Sequence, residues 1–235
     1  MAPPHHDNVT TMEDLRVSVQ LLPTTRIGAI ATVRVSDAEY RCRIIKVDGA
    51  DALIHPFEKL ALPSESGLTL SLVQVLPKKE KMELIIEKAT ELGVNRIIPC
   101  VSTKSITLAE RDAAQKKSVR WAIVARKAAE QSRRRVIPAI NGCIDFESAL
   151  SLVSDADMKI ILYEKEPIVR LHDLTPMEPK SLAIVAGAEG GFTEDEIVLA
   201  RTRQFMPVRL GGRTLRAETA GIAAISIAQF LWGDL

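Results

Sequence analysis

At 235 residues with 46 % apolar content the chain is long enough for one large or two small domains, and no run of about 18 apolar residues exists to span a membrane. Its 31 basic and 30 acidic side chains leave a formal charge of +1, which excludes a surface coated throughout for nucleic acid and moves the question to where the charges sit. Cys42, Cys100 and Cys143 are widely spaced without a C-x-x-C pair, so neither a disulfide framework nor a zinc site is indicated, and no metal is expected from the histidines either.

Taken in chain order, residues 1–13 are polar and proline-containing and read as loosely held. They lack the basic-then-apolar pattern of a signal peptide, so the expected address is the cytoplasm. From Arg16 to Pro56 short apolar alternations are separated by Ser36-Asp37 and Asp48-Gly49, which predicts a small domain of β-hairpins. Ala61 to Gly67 is the linker, carrying Pro, Ser and Gly between two patterned stretches. Leu68–Val75 then reads as a strand. Met82, Ile85, Ile86 and Ala89 fall on one helical face, with Gly93 placed to stop that helix.

Val94–Val101 is the next strand, and Cys100 within it reads as a small core residue. A long helix follows, in which Trp121, Val124, Ala125, Ala128, Ala129 and Ser132 recur at helical spacing. Between Arg111 and Arg135 nine basic residues face only Asp112 and Glu130. That density fits either a solvated helix face or a phosphate-tracking surface. A short helix from Asp145, strands at Met158–Tyr163 and Ser181–Gly187, and a capping box at Thr193 and Glu196 come next. The final helix, Glu218 to Trp232, is apolar nearly all round, which predicts burial in the core or at a subunit contact. Alternating strands and helices make this an α/β fold with a mostly parallel sheet.

Two loops carry the chemistry. Gly187-Ala188-Glu189-Gly190-Gly191-Phe192 and Leu210-Gly211-Gly212-Arg213-Thr214-Leu215-Arg216-Ala217-Glu218-Thr219-Ala220 each follow a strand and precede a helix. They therefore belong at the C-terminal edge of the sheet, where open α/β folds bind ligands. Their glycines admit close backbone approach. Neither fits the G-x-G-x-x-G dinucleotide pattern or a P-loop.

These motifs, with Leu76-Pro77-Lys78, Lys88 to Val94, Arg96 to Pro99 and Ala128 to Ser132, resemble the ribosomal RNA small-subunit methyltransferase E family of the SPOUT superfamily. Ala188, Gly212 and Thr214 depart from the family's usual Pro, Pro and Ile or Val, and the N-terminal family motifs have no clear counterpart. The resemblance implies a SPOUT-like knotted, mostly parallel sheet flanked by helices (67–235) behind a small β-rich, PUA-like RNA-binding domain (1–66). Connection rules alone would argue against the knot. It further implies S-adenosylmethionine as cofactor, N3-methyluridine in 16S rRNA as product, the assembled small ribosomal subunit as partner, and a homodimer.

On that basis Glu189 and Glu218 are candidates for base or orienting group, and Arg216 for stabilising charge on the uracil oxygens. Cofactor contacts are expected from Tyr163, Glu164, Gly187, Glu189, Gly190, Gly191, Leu210, Gly211, Leu215, Arg216, Thr219 and Ala220. RNA contacts are expected from Arg120, Gln131, Arg133, Arg134 and Arg135. Two other readings stand beside this one: a catalytically impaired SPOUT protein that binds RNA during ribosome assembly, and a metabolic enzyme using the loops for a nucleotide.

Overall fold

The structure, a computed structural model, describes residues 13–77, 81–105, 108–165 and 169–235, with the side chains of Leu21 and of residues 108–118 outside that description. Residues 1–12 of the start, Lys78 and the side chains of Arg111, Lys116 and Lys117 thus lie outside the described residues. Two compact units result. One comprises residues up to Glu65 together with Ala129–Ile137; the other comprises Ser66–Ala128 and Pro138–Leu235.

In the first unit, strands β1 (Leu15–Ser18), β2 (Ile30–Val35), β3 (Ala38–Asp48) and β4 (Asp51–Lys59) form an antiparallel sheet in the order β1-β4-β3-β2. The turn residues read from the sequence close its hairpins, with Ser36 and Gly49 both at positive φ. Alternation along the strands turns Ala31, Val33, Cys42, Ile44, Ala52 and Ile54 inward as one core.

The second unit is built on a parallel sheet. Its elements are β5 (Thr69–Val75), α1 (Lys81–Glu91), β6 (Arg96–Val101), α2 (Leu108–Ser132), β7 (Ala139–Ile140), β8 (Ile144–Asp145), α3 (Phe146–Ser151), β9 (Met158–Leu162), β10 (Ser181–Ala186), α4 (Glu194–Thr202), β11 (Met206–Val208) and α5 (Ala217–Trp232). The sheet runs β11-β9-β10-β5-β6-β7, with β8 also on β6. Helix α2 begins in this unit, and its last turn belongs to the first. The apolar stripe expected on it is buried at Trp121, Ala125, Ala128 and Ala129, so the tryptophan is a core residue.

Strand β10 leads through α4 to β11 on one side of the sheet, and β5 leads through α1 to β6 on the other. The connections therefore diverge between β10 and β5, the position where such sheets open a crevice. Here the buried carboxamide of Gln74 spans it: Nε2 donates to Val75 O at 2.9 Å and reaches Ala186 O and Gly187 O at 3.4 and 3.5 Å. At the edge, the end of β11 is held on both flanks. Tyr163 N donates to Val208 O at 2.9 Å, and Arg209 N donates to Val169 O at 2.8 Å on the opposite side.

Only one face of the terminal helix is covered within the chain. Ala217, Gly221, Ala224, Ile225, Ala228 and Gln229 pack inward. Ile222, Ala223 and Ile227 remain half-buried and Phe230 is 72 % exposed.

Candidate active site

The loops after β9, β10 and β11 emerge side by side because their strands are neighbours in the sheet. The loop after β10 ends in the predicted capping box. Thr193 Oγ1 accepts from Glu196 N at 3.2 Å, and Glu196 Oε2 accepts from Thr193 N at 2.8 Å. The other oxygen of Glu196 accepts from Thr103 N at 2.7 Å, while Lys104 Nζ donates to Phe192 O at 3.1 Å. The β6–α2 loop is thereby fastened to the glycine loop. Gly190 is required at this junction, because a Cβ there would stand 2.5 Å from the Lys104 carbonyl oxygen. Gly211 is required for another reason: nothing crowds it, but its φ of 150° lies where side chains are rarely tolerated.

Together these loops enclose a cavity of about 400 Å³, a size that suits a small-molecule cofactor. Tyr163, Glu164, Gly187, Glu189, Gly190, Gly191, Leu210, Gly211, Leu215, Arg216 and Ala220 all line it. Thr219 does not; it faces outward one position before Ala220. Glu218 is also absent from the lining. The sequence reading missed Lys104, Lys165, Arg209 and Arg213, which join Arg216 around the cavity. Hydrogen bonds fix part of the wall: Thr214 Oγ1 donates to Glu164 Oε2 at 3.1 Å, and Arg209 Nε donates to Gly211 O at 2.6 Å.

Glu189 and Glu218 meet at a residue that no motif singled out. Lys81, the first residue of α1, places Nζ 2.9 Å from Glu189 Oε1 and 3.0 Å from Glu218 Oε2. The first contact is a hydrogen bond. The second lacks hydrogen-bond alignment, and Glu218 Oε2 is a buried atom, so the contact is one of charge. Both carboxylates raise the Lys81 ammonium above its ordinary value, Glu189 most strongly. Burial pushes the Glu218 carboxyl up, but its own backbone N–H, Lys81 and Arg216 outweigh that and hold it below the ordinary range. Glu218 is thus a charged group and a weakened base.

The RNA candidates divide. Gln131 and Arg133 are exposed, and so is Arg120, whose Nε lies 3.7 Å from Glu83 Oε1. Arg134 is not available: Nη2 and Nε donate to Glu65 Oε2 at 2.6 and 3.1 Å, with only 4 % of its side chain exposed. Arg135 Nε donates to Glu39 Oε1 at 3.2 Å. The helix ends where Arg133 turns to φ 59°, and that turn directs the next two arginines onto the acidic residues of the first unit.

Burial lifts the thiol of Cys42 to about 11 and that of Cys100 further, so neither is a thiolate near neutrality. Among the described residues no group of three His, Cys, Asp or Glu side chains is placed to hold a metal, and no helix is long and apolar enough to cross a membrane.

Residues 64–229 match the RNA methyltransferase domain family. The chain is 36 % identical over 161 residues to ribosomal RNA small subunit methyltransferase E of Bacillus subtilis (strain 168), a match that spans 66 % of this chain and 63 % of that relative. It is 33 % identical over 192 residues to the protein of the same name from Buchnera aphidicola subsp. Acyrthosiphon pisum (strain APS), covering 82 % of this chain and 75 % of the relative. Among solved structures, ribosomal RNA small subunit methyltransferase E from Neisseria gonorrhoeae, bound to S-adenosyl methionine, superimposes with a TM-score of 0.71 at 27 % identity, covering 97 % of this chain and 96 % of that one. Sequence kinship over most of the length and a shared arrangement of sheet and loops lead to one conclusion: the chain belongs to the ribosomal RNA small subunit methyltransferase E family.

Proposed function

We propose that this protein methylates N3 of a uridine in 16S ribosomal RNA, using S-adenosylmethionine as donor. The observation that carries the reading is the convergence of both glycine loops and the end of β9 on one cavity. The lining suits the cofactor. Leu210, Leu215 and Ala220 offer apolar surface for a base, glycine backbone admits close approach, and Glu164 and Glu189 offer negative charge toward a sulfonium and an ammonium. Bound there, the cofactor supplies an activated methyl group.

The chain's own residues hold the target in line with that group, and orientation of this kind is worth up to about 7–11 kcal/mol in favourable systems. Arg216, exposed beside the cavity, stabilises negative charge on the uracil carbonyl oxygens as N3 gives up its proton to solvent water. Glu189 and Glu218, already engaged by Lys81, serve as orienting groups rather than as the base. Lys104, Lys165, Arg209 and Arg213 add positive charge along the path of the RNA backbone. The first unit and the exposed cations Arg120 and Arg133 bind structured RNA of the small subunit, in the cytoplasm where subunits are assembled. A homodimer forms through the open face of α5, where Phe230 and Ile227 would otherwise meet water.

Mass spectrometry of small-subunit rRNA incubated with the protein and methyl-labelled cofactor tests the reading. Label at uracil N3 is expected. Label at a ribose or at carbon 5 would overturn the reaction assigned, and RNA binding without label would favour an assembly role.

A further inference from the structure

We propose that Lys81 is a positioning residue, whose ammonium clamps Glu189 of the glycine loop to Glu218 of α5 and so sets the separation of the two loops that form the cofactor cavity. The inference rests on the cofactor reading above and deepens it.

The geometry is specific. One nitrogen lies within 3.0 Å of oxygens from two segments that are 29 positions apart in sequence, so those oxygens stand no more than about 6 Å from each other. Glu189 lines the cavity, and Glu218 sits between the lining residues Ala217 and Ala220 in the first turn of α5. Moving either carboxylate therefore moves cavity wall. The clamp also joins the first residue of the helix that follows β5 to the loop that follows β10, the two neighbouring strands whose connections diverge. A lysine is suited to this task because its ammonium is a compact charge that carboxylates from two segments can approach together.

Removing the cation would leave two like charges facing each other. At an effective dielectric near 20, unit charges at that distance change an equilibrium by on the order of a hundredfold. Solvent at the part-exposed carboxylates lowers this to roughly tenfold. The charged groups facing one another here are Lys81, Glu189, Glu218 and Arg216, and Arg216 is too exposed to replace the lost ammonium.

Calorimetric titration of S-adenosylmethionine into the full chain tests the clamp. Lys81→Met should weaken binding roughly tenfold at pH 7. The loss should shrink toward pH 5, because a repelled carboxylate takes up a proton more readily. Lys81→Arg should retain affinity, and Glu218→Gln added to Lys81→Met should restore most of it. Wild-type affinity in Lys81→Met would overturn the proposal, as would a loss that is equal at both pH values and unrelieved by Glu218→Gln. If the wild-type chain itself binds no S-adenosylmethionine, the cofactor reading fails instead. The clamp is then judged by backbone hydrogen exchange over 188–192 without ligand, which Lys81→Met should accelerate; unchanged exchange would refute it.

Discussion

Replacing Arg134 with Met should destabilise the first unit severely. The side chain is 4 % exposed and its partner Glu65 11 %, so the pair is desolvated rather than displayed. Removing one member of such a pair typically costs about 3–5 kcal/mol, because the remaining charge stays buried without its counter-ion. Glu65 would keep one donor, the Val136 N–H at 2.9 Å on Oε1, which places the cost near the lower end, about 3 kcal/mol. For a chain of this size each kcal/mol shifts the melting point by about 2–4 °C, so a fall of roughly 6–12 °C is expected. Scanning calorimetry supplies the number, and hydrogen exchange in β2, β3 and β4 assigns it to the first unit. Adding Glu65→Leu should recover much of the loss, since the stranded charge is then gone. A loss below about 1 kcal/mol, as for an exposed ion pair, would refute the reasoning.

Glu39 should make the same unit acid-sensitive. Burial pushes its carboxyl up, but hydrogen bonds from Ser64 and the Arg135 guanidinium outweigh this and hold it below its ordinary 4.5. The stability it contributes is therefore complete above that value and is lost as pH falls through the lower folded value; Glu39→Gln should abolish this part of the acid transition in pH-dependent melts. Gly190→Ala should cost about 1–3 kcal/mol by overpacking against Lys104 and should weaken cofactor binding, read by denaturation and calorimetry on the same sample. Ile227→Asp should yield a monomer by light scattering, and a dimer that survives it would place the contact elsewhere. In RNA-binding titrations against salt, Arg133→Ala and Arg120→Ala should each lower the log–log slope by about one, whereas Arg134→Met should leave the slope alone in whatever fraction remains folded.

What the sequence disclosed was whatever its neighbours in the chain determine. Thr193 and Glu196 announce a helix start because a capping box is complete within four residues. Trp121, Ala125 and Ala128 announce the buried side of α2 because periodicity is a local property. The glycine loops were visible as departures from both strand and helix patterns. Lys81 was not, because it lies in a run of charge and acquires meaning only from carboxylates 108 and 137 positions away. The same holds for Arg134 and Arg135, which counted as part of a basic cluster until Glu65 and Glu39 were seen to hold them. The open face of α5 was hidden differently: apolar composition says that a face needs cover, but not which molecule supplies it.

Glu196 shows how a tertiary contact can narrow a permissive local code. A helix start accepts glutamate or glutamine at this position equally well, since either reaches back to the capping residue. In this protein both carboxylate oxygens receive a backbone N–H, one from Thr193 and the other from Thr103. Glutamine has a single acceptor oxygen, so its amide group would face one of those N–H donors with donors of its own. The interchange that is silent in an isolated helix would here release either the cap or the neighbouring loop, and with the loop goes Lys104 from the rim of the cavity.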